Sequence, residues 1–414
     1  MTKEIFEGYK YIEGGVCAAK GFVANGLNCG INPVKEKFDL GVVYSETECN
    51  AAGVYTQNKV KGAPIIVTKK HLEKSGGKAK AVIVNSKNAN TCNADGEEIA
   101  EKVSNLLADA VGIKPEEVIV ASTGVIGQRL SVKPFEDYMQ KLVDGMTTDG
   151  HTAAADAIMT TDTIRKEVAV EFEIDGKVCH LGGMAKGSGM IHPNMATTLN
   201  FVTTDVAVTT EMVQKALRDI VKVTYNCLSI DGDTSTNDMV SVMANGLAGN
   251  KEITAEGEDY DKFKQALYIV MSNMTKMLAS DGEGASKLLE CTCGGAPDIE
   301  TAIIVAKSVI RSPLFKCAMF GEDANWGRIL CAIGYAEADF DIAKVSVSLR
   351  SEVGSVKVCE NGAGVEFSED EAAKILARDE IFIDIDLGQG DVSAKAWGCD
   401  LTYDYVKING DYRS

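Results

Sequence analysis

The segment AKGSGMIHPNMATTLNF, residues 185–201, combines the residue types of a self-activating nucleophile. Glycines and a proline precede Ala196 and Thr197, and an apolar run begins at Leu199. A threonine hydroxyl is a weak nucleophile at neutral pH unless a base lies beside it. If the hydroxyl of Thr197 attacked the carbonyl of Ala196, hydrolysis of the resulting ester would cut the chain. The freed α-amine of Thr197 could then act as the base, although the residues alone also fit the plain start of a strand.

The loop DGDTSTND, residues 231–238, begins like a calcium-binding loop but departs from that pattern at two positions. The sixth position carries Thr236 where such loops need glycine, and the twelfth carries Val242 where they need glutamate. We therefore interpret the segment as a structural loop whose aspartates bond nearby backbone groups.

Other catalytic and metal-binding patterns are missing from the sequence. It contains neither the G-x-S-x-G elbow of serine hydrolases nor a phosphate-binding P-loop. The twelve cysteines form no C-x-x-C pair, and with four histidines they complete no zinc site of the usual spacing. The sequence therefore predicts no metal and no cofactor, and cysteines that stay reduced.

The charge and hydropathy of the chain exclude several classes of partner. A formal net charge of −18 argues against binding to nucleic acid or to anionic membranes. The amino terminus, MTKEIFEGYKYIEGG, lacks the apolar segment of a signal peptide. No apolar run approaches the ~18 residues that span a bilayer. We expect a cytoplasmic protein.

Strand-like and helix-like segments alternate along the chain. The sequence predicts a buried strand over 78–86, a helix over 95–112, and a strand from 116 that runs into the glycine loop STGVIG. Period-two alternation over 165–177 predicts a hairpin turning at Asp175-Gly176. Segment 260–284 reads as a long helix.

The length of 414 residues suggests two or three domains, and the pattern restarts near residue 295. Two helices and two strands are predicted there, followed by alternating strands over 380–387 and 392–408. We expect a smaller C-terminal α/β domain over about 295–414.

Several motifs are spread over the whole chain: APIIVTKKH (63–71), NSKNANTC (85–92), STGVIG (122–127), GGMAKGSGMIHPNMAT (182–197), DGDTSTND (231–238), GEDANWGRI (321–329) and DLTYDYVKINGDYRS (400–414). In sequence and order they resemble the motifs of one family, the ornithine acetyltransferases or glutamate N-acetyltransferases of arginine biosynthesis. One departure is Thr198, where many relatives carry methionine.

The resemblance implies a fold, a cleavage and a reaction. The fold would be that of ornithine acetyltransferases and self-processing aminopeptidases, with mixed α/β layers and largely antiparallel sheets. The precursor would cut itself between Ala196 and Thr197 into an α chain, 1–196, and a β chain, 197–414, which assemble as two α and two β chains. The enzyme would move an acetyl group from N-acetylornithine to glutamate through an acetyl-threonine intermediate. Some members also accept acetyl-CoA.

The resemblance also implies roles for particular residues. Thr197 would be the nucleophile, and Thr123 and Gly124 would stabilise the oxyanion. The family's substrate-binding positions correspond to Thr160, Lys186, Thr197, Glu283, Asn409 and Ser414. Without the resemblance, the segment STGVIG would be interpreted as a turn, and a lone lysine or glutamate as a surface charge. The end of a chain would be expected to be disordered. We expect the tail to fold over the pocket. The alternatives are an N-terminal-nucleophile aminopeptidase or amidase of the same fold, in which water accepts the acyl group, and a non-catalytic metabolite-binding protein.

Overall fold

The computed structural model of the protein describes residues 4–193 and 198–411. The predictions for Ala196, Thr197 and Ser414 lie outside the described residues. Within the described ranges, no helix is long and apolar enough to cross a membrane.

The α-helices are α1 Ala63–Lys74, α2 Gly96–Val111, α3 Lys133–Asp144, α4 His151–Ile158, α5 Thr210–Val223, α6 Glu258–Ser280, α7 Ile299–Ile310, α8 Pro313–Phe320, α9 Trp326–Gly334, α10 Glu369–Leu376 and α11 Tyr403–Asp411. The strands are β1 Lys10–Ile12, β2 Phe22–Leu27, β3 Leu40–Tyr55, β4 Lys78–Asn85, β5 Val118–Ser122, β6 Lys166–Ile174, β7 Lys177–Lys186, β8 Leu199–Thr204, β9 Leu228–Ser229, β10 Met239–Ala244, β11 Leu288–Ala296, β12 Ser346–Ser351, β13 Gly354–Glu360, β14 Ala363–Gly364, β15 Glu380–Asp386 and β16 Val392–Cys399.

The first sheet runs in the order β1-β6-β7-β8-β10-β3-β4-β5, with β2 also paired to β3. Most neighbours are antiparallel, but β8 pairs with β10 and β4 with β5 in parallel. All five residues of β5 and all six of β8 and of β10 are buried. Near-continuous apolar runs such as that of β5 suit strands covered on both faces. The ends of these strands are therefore held by a packed sheet.

The second sheet runs in the order β14-β13-β12-β15-β11-β16-β9. Helix α6 contacts β6 and β7 of the first sheet as well as β11 and β16 of the second, and α7 covers β11 and β16. One continuous apolar cluster extends from Ala52 to Cys399 across both sheets. The structure confirms a mixed α/β fold with largely antiparallel sheets. The domain boundary near residue 295 stays a prediction, and β11 of the second sheet begins at Leu288.

The prediction of one strand over 392–408 was wrong. Strand β16 ends at Cys399 because the carboxylate of Asp400 accepts the backbone N–H groups of Ser286 and Lys287, which turns the chain away from the sheet. The Thr402 hydroxyl then accepts the N–H of Asp404 and donates to the Gly284 carbonyl. Helix α11 starts at Tyr403. The tail therefore approaches the rest of the protein as a helix.

Candidate active site

A cavity of about 440 Å³ opens where the carboxyl ends of β5 and β7 meet the amino ends of β8 and β10. Every predicted site residue within the described ranges lines it: Thr123, Gly124, Thr160, Lys186, Glu283 and Asn409. Thr198, which directly follows the predicted nucleophile, lines the same cavity. Residues separated by up to 286 positions in the sequence are thus brought to one place.

The turn after β5 is the predicted oxyanion site. The Thr123 N–H donates to the Asn85 carbonyl at 2.9 Å, and the Val125 N–H donates to the Lys87 carbonyl at 3.0 Å. Gly124 between them has φ of +134°, and a Cβ there would lie 2.1 Å from the carbonyl carbon of Lys87. Only glycine fits this close approach. Among the described residues, no acceptor takes the Gly124 N–H, so this donor is available to a ligand.

The cavity contains one buried cation at the end of β7. Lys186 is 7% exposed, and its Nζ lies 2.8 Å from Thr160 Oγ1 and 3.4 Å from Thr123 Oγ1. Asp162 Oδ2 is 3.9 Å from the same Nζ. Burial lowers the pKa of Lys186, and the nearby Asp162 opposes that shift. The Asp162 carboxylate is therefore too distant for a strong hydrogen bond to the Lys186 ammonium group. Lys186 itself lines the cavity.

Asp162 lies next to Lys186 and was not predicted from the sequence as a site residue. Its fully buried carboxylate accepts the Lys166 ammonium at 2.7 Å, the Gly187 N–H at 2.6 Å and the Thr160 N–H at 3.0 Å. Burial alone would raise its pKa, but Lys186 and Lys166 outweigh burial and lower it to about 2. Asp162 is therefore ionised at neutral pH. It fixes Gly187, which follows Lys186, and Thr160, whose hydroxyl contacts the Lys186 ammonium.

The acidic side of the cavity comes from the loop after α6. Glu283 accepts a hydrogen bond from Asn409 Nδ2 at 2.8 Å, which ties helix α11 to the cavity. The Glu283 N–H donates to the Ser188 carbonyl at 3.0 Å. A Cβ at position 189 would lie 2.4 Å from the Glu283 carboxyl group, so Gly189 leaves room for that carboxylate. Asn409 is exposed, and it is the predicted tail residue that the structure describes at the site.

The backbone at the start of β8 is strained. Thr198 has φ of +59°, which is rare for a β-branched residue and costs about 1–3 kcal/mol. Its N–H donates to Asp238 Oδ1 at 2.7 Å, and its hydroxyl accepts Asn200 Nδ2 at 2.7 Å. Burial raises the pKa of Asp238 to about 8. The strain lies one residue after the predicted nucleophile, and the surrounding contacts must hold it.

The loop 231–238 bonds backbone groups, as its structural interpretation predicted, but its partners are distant in the sequence. Asp231 accepts the N–H groups of Met190 and Ile191 at 2.6 and 2.8 Å. Thr234 donates its hydroxyl to the His192 carbonyl at 2.6 Å. The loop therefore holds the chain immediately before residue 194.

These groups together suit a small substrate that carries both charges. One cation, the carboxyl groups of Glu283 and Asp238, several hydroxyls and a free backbone N–H face a cavity large enough for an amino acid derivative.

Comparison with known proteins identifies the family of this chain. The profile of the ArgJ family matches residues 23–414. The arginine biosynthesis bifunctional protein ArgJ 1 of Clostridium acetobutylicum is 48% identical over 394 residues, which cover 95% of this chain and 96% of the relative. The arginine biosynthesis bifunctional protein ArgJ of Bacillus subtilis is 46% identical over 404 residues, 97% of either chain. The crystal structure of the Bacillus halodurans protein of that name aligns with a TM-score of 0.49 and 43% identity, over 51% of this chain and 98% of the other. This chain belongs to the ArgJ family.

Proposed function

We propose that this protein is a glutamate N-acetyltransferase of arginine biosynthesis, which moves an acetyl group from N-acetylornithine to glutamate. The observation that carries the proposal is the assembly of six predicted site residues around one cavity beside Thr198. Membership of a family whose relatives are named arginine biosynthesis bifunctional proteins supports it. These relatives are named bifunctional, and the family resemblance implies that some members accept acetyl-CoA. We therefore extend the proposal to acetyl-CoA as a second acetyl donor.

We propose that the active form arises by self-cleavage. The Thr197 hydroxyl attacks the Ala196 carbonyl, the peptide nitrogen takes a proton as the ester forms, and water hydrolyses the ester. The products are fragments 1–196 and 197–414, which we expect to form a cytoplasmic assembly of two α and two β chains. Support comes from the strained Thr198 and from the hydrogen bonds that hold residues 190–192 on the other side of the cut.

Transfer then follows two half-reactions. In the first, Thr197 Oγ bonds to the acetyl carbon of N-acetylornithine while the α-amine of Thr197 takes the hydroxyl proton. The Thr123 hydroxyl and the Gly124 N–H stabilise the oxyanion. The C–N bond breaks, ornithine receives the proton from the α-ammonium, and acetyl-threonine remains. In the second half-reaction, the neutral amine of glutamate attacks the ester, and Thr197 leaves with the proton that the α-amine relays.

The polar groups of the cavity suit these substrates. Lys186 would pair with the α-carboxylate of either substrate. Glu283 would bind the ammonium group of the ornithine part, with Asn409 holding that carboxylate in place. Thr160 offers its hydroxyl, and we keep Ser414 as a further predicted contact from the tail.

The rival function is an aminopeptidase or amidase of this fold, in which water takes the acyl group from Thr197. Both functions share the acyl-enzyme, so they differ in the acceptor alone. With labelled N-acetylornithine, our proposal expects the label in N-acetylglutamate when glutamate is present, and free labelled acetate as the main product would refute it.

Intact-mass measurement tests the cleavage and the nucleophile. We expect two species with the masses of 1–196 and 197–414, and after brief incubation with N-acetylornithine one added acetyl group on the second species. Thr197→Ala should give a single uncut chain of 44.1 kDa that transfers nothing. A fully active enzyme with an uncut chain, or an acetyl group on the first species, would contradict the proposal.

A further inference from the structure

The side chain of Asn237 joins three separate loops beside the cavity. It is 5% exposed and uses all four of its hydrogen-bonding positions. Its Nδ2 donates to the Ala89 carbonyl at 2.7 Å and to the Ser122 carbonyl at 2.9 Å. Its Oδ1 accepts the hydroxyls of Thr91 at 2.7 Å and Thr236 at 2.6 Å. A buried amide with every position used has one permitted orientation.

The two carbonyls that Asn237 binds belong to the loops that form the oxyanion turn. The Ser122 carbonyl is part of the peptide bond whose N–H belongs to Thr123, so its hydrogen bond fixes that peptide plane. Ala89 lies in the loop after β4, and its own N–H donates to the Val125 carbonyl at 3.0 Å. Asn237 therefore holds both sides of the turn that contains Gly124.

The next residue, Asp238, holds the other half of the site. Its Oδ1 accepts the N–H of Thr198, which is the amide of the bond between Thr197 and Thr198. The Met239 N–H donates to the Thr198 carbonyl at 2.8 Å, and from there β8 and β10 pair in register, Leu199 opposite Met239. Asp238 thus binds the first described residue of the nucleophile strand.

We propose that Asn237 and Asp238 are positioning residues that together set the distance between the oxyanion donors and the nucleophile. The Cα atoms of consecutive residues are about 3.8 Å apart, so the hydrogen bonds of Asn237 and those of Asp238 start from neighbouring points of one backbone. The two parts of the site that they hold are thereby kept at a defined separation. Both residues line the cavity, but the role proposed for them requires no contact with the substrate. This inference rests on the proposed function, because it assumes that the Thr123-Gly124 turn and Thr197 act on the same carbonyl.

Asn237→Asp is the central variant because it keeps the shape of the side chain and removes both donors. A carboxylate oxygen would face the carbonyls of Ala89 and Ser122, and the turn should move. A displacement of about 1 Å costs on the order of 10² in rate. We therefore expect kcat to fall about 10²-fold while KM for N-acetylornithine and glutamate changes little, since the groups proposed to bind the substrates, Lys186 and Glu283, are unchanged.

Asn250→Asp is the matched control. Asn250 is 7% exposed, donates to the carbonyls of Ala207 and Lys251, and accepts the Ala207 N–H, yet it does not line the cavity. Its replacement should lower the melting temperature without changing kcat. If Asn237→Asp lost no more kcat than Asn250→Asp at equal folded fraction, Asn237 would have a structural role alone and the proposal would fail.

Two further changes keep the test informative if Asn237→Asp folds poorly. Thr91→Val removes one hydroxyl donor to Asn237 with little change of shape, and we expect a smaller loss of kcat with the same unchanged KM. Asp238→Ala removes the acceptor of the Thr198 N–H and should also reduce kcat, whereas Asp238→Asn keeps an acceptor oxygen there and should restore most of the loss. Equal activity of the alanine and asparagine variants would overturn the role of Asp238.

The acceptor specificity of the unmodified enzyme separates this inference from the proposed function. If it delivered the acetyl group to water, the proposed function would fail, but hydrolysis needs the same oxyanion donors. The ratio of variant to unmodified rates would then still decide whether Asn237 and Asp238 position them.

Discussion

Replacing Gly124 with alanine tests the oxyanion turn at its tightest point. The added Cβ would lie 2.1 Å from the carbonyl carbon and 2.3 Å from the carbonyl oxygen of Lys87, and ordinary contact begins near 3.4 Å. Both neighbours are backbone atoms, which cannot rotate aside as a side chain would. The two loops must therefore separate by roughly 1 Å, enough to misplace an oxyanion donor.

The expected kinetic effect follows from that displacement. Loss of one oxyanion donor costs about 10²–10³ in kcat, and φ of +134° adds strain of about 1–3 kcal/mol for any residue with a Cβ. We expect Gly124→Ala to lower kcat for acetyl transfer from N-acetylornithine to glutamate at least about 10²-fold. KM should change much less, because Lys186 and Glu283 are untouched.

Gly127 in the same loop supplies the control. It has φ of +82°, but no atom lies within 4 Å of the position of an added Cβ. Gly127→Ala should therefore lower the melting temperature through backbone strain and leave kcat nearly unchanged. The assay is steady-state transfer with both substrates varied, on protein whose cleavage has been checked by mass. A Gly124→Ala enzyme with a rate close to that of Gly127→Ala would refute the assignment of the turn to the oxyanion.

Lys186→Met should lower kcat/KM for both substrates by at least about 10²-fold, because the substrate carboxylate would enter a buried site without its cation; an unchanged value in steady-state assays would remove Lys186 from the binding site. Asp162 has a pKa of about 2 in the folded protein against its usual 3.8, so its stabilising effect is complete above pH 4 and is lost as the pH falls toward 2. Urea unfolding should accordingly show Asp162→Asn much less stable than the unmodified protein at pH 7 and closer to it at pH 3. The pKa of Asp238 is shifted in the opposite direction, to about 8, so the unmodified protein loses stability as the pH rises from about 4 to 8. The stability of Asp238→Asn relative to the unmodified protein should therefore improve over that range. Ending the chain after Ile408 removes the Asn409 contact with Glu283, and we expect intact self-cleavage with reduced kcat/KM; normal kinetics in the cleaved, shortened enzyme would show the tail to be dispensable.

Local patterns predicted many of the elements that hold the site. Helix α2 follows Asp95 and ends at Val111, and the next residue, Gly112, has φ of +72°, the left-handed conformation that favours glycine after a helix. The hairpin between β6 and β7 turns at Asp175 and Gly176, both with positive φ. In each case the decisive residues are neighbours in the sequence, so their spacing carries the information.

Long-range partners could not be predicted in this way. Asn237 binds carbonyls 148 and 115 residues away, and Asp162 gains its second lysine only when β7 lies beside it. The sequence shows these side chains as ordinary members of polar loops. The alternation in residues 400–408 was compatible with strand and helix alike, and the contacts of Asp400 and Thr402 decided the outcome. The site residues themselves were predicted through family resemblance, since spacing alone left Thr123 and Gly124 in an unremarkable turn.

The order of strands in the first sheet has a consequence for the timing of the proposed self-cleavage. Strands β8 and β10 belong to the chain after residue 197, yet they lie between β7 and β3, which both precede it. The two products of a cut would thus be interleaved in one sheet, and neither could leave without breaking ladders on both of its sides. Such a sheet assembles far more readily from a single chain than from two separate ones, because the covalent link between β7 and β8 limits how far their ends can separate. The protein should therefore fold completely before the proposed self-cleavage, and fragments produced separately should be poor at forming active enzyme.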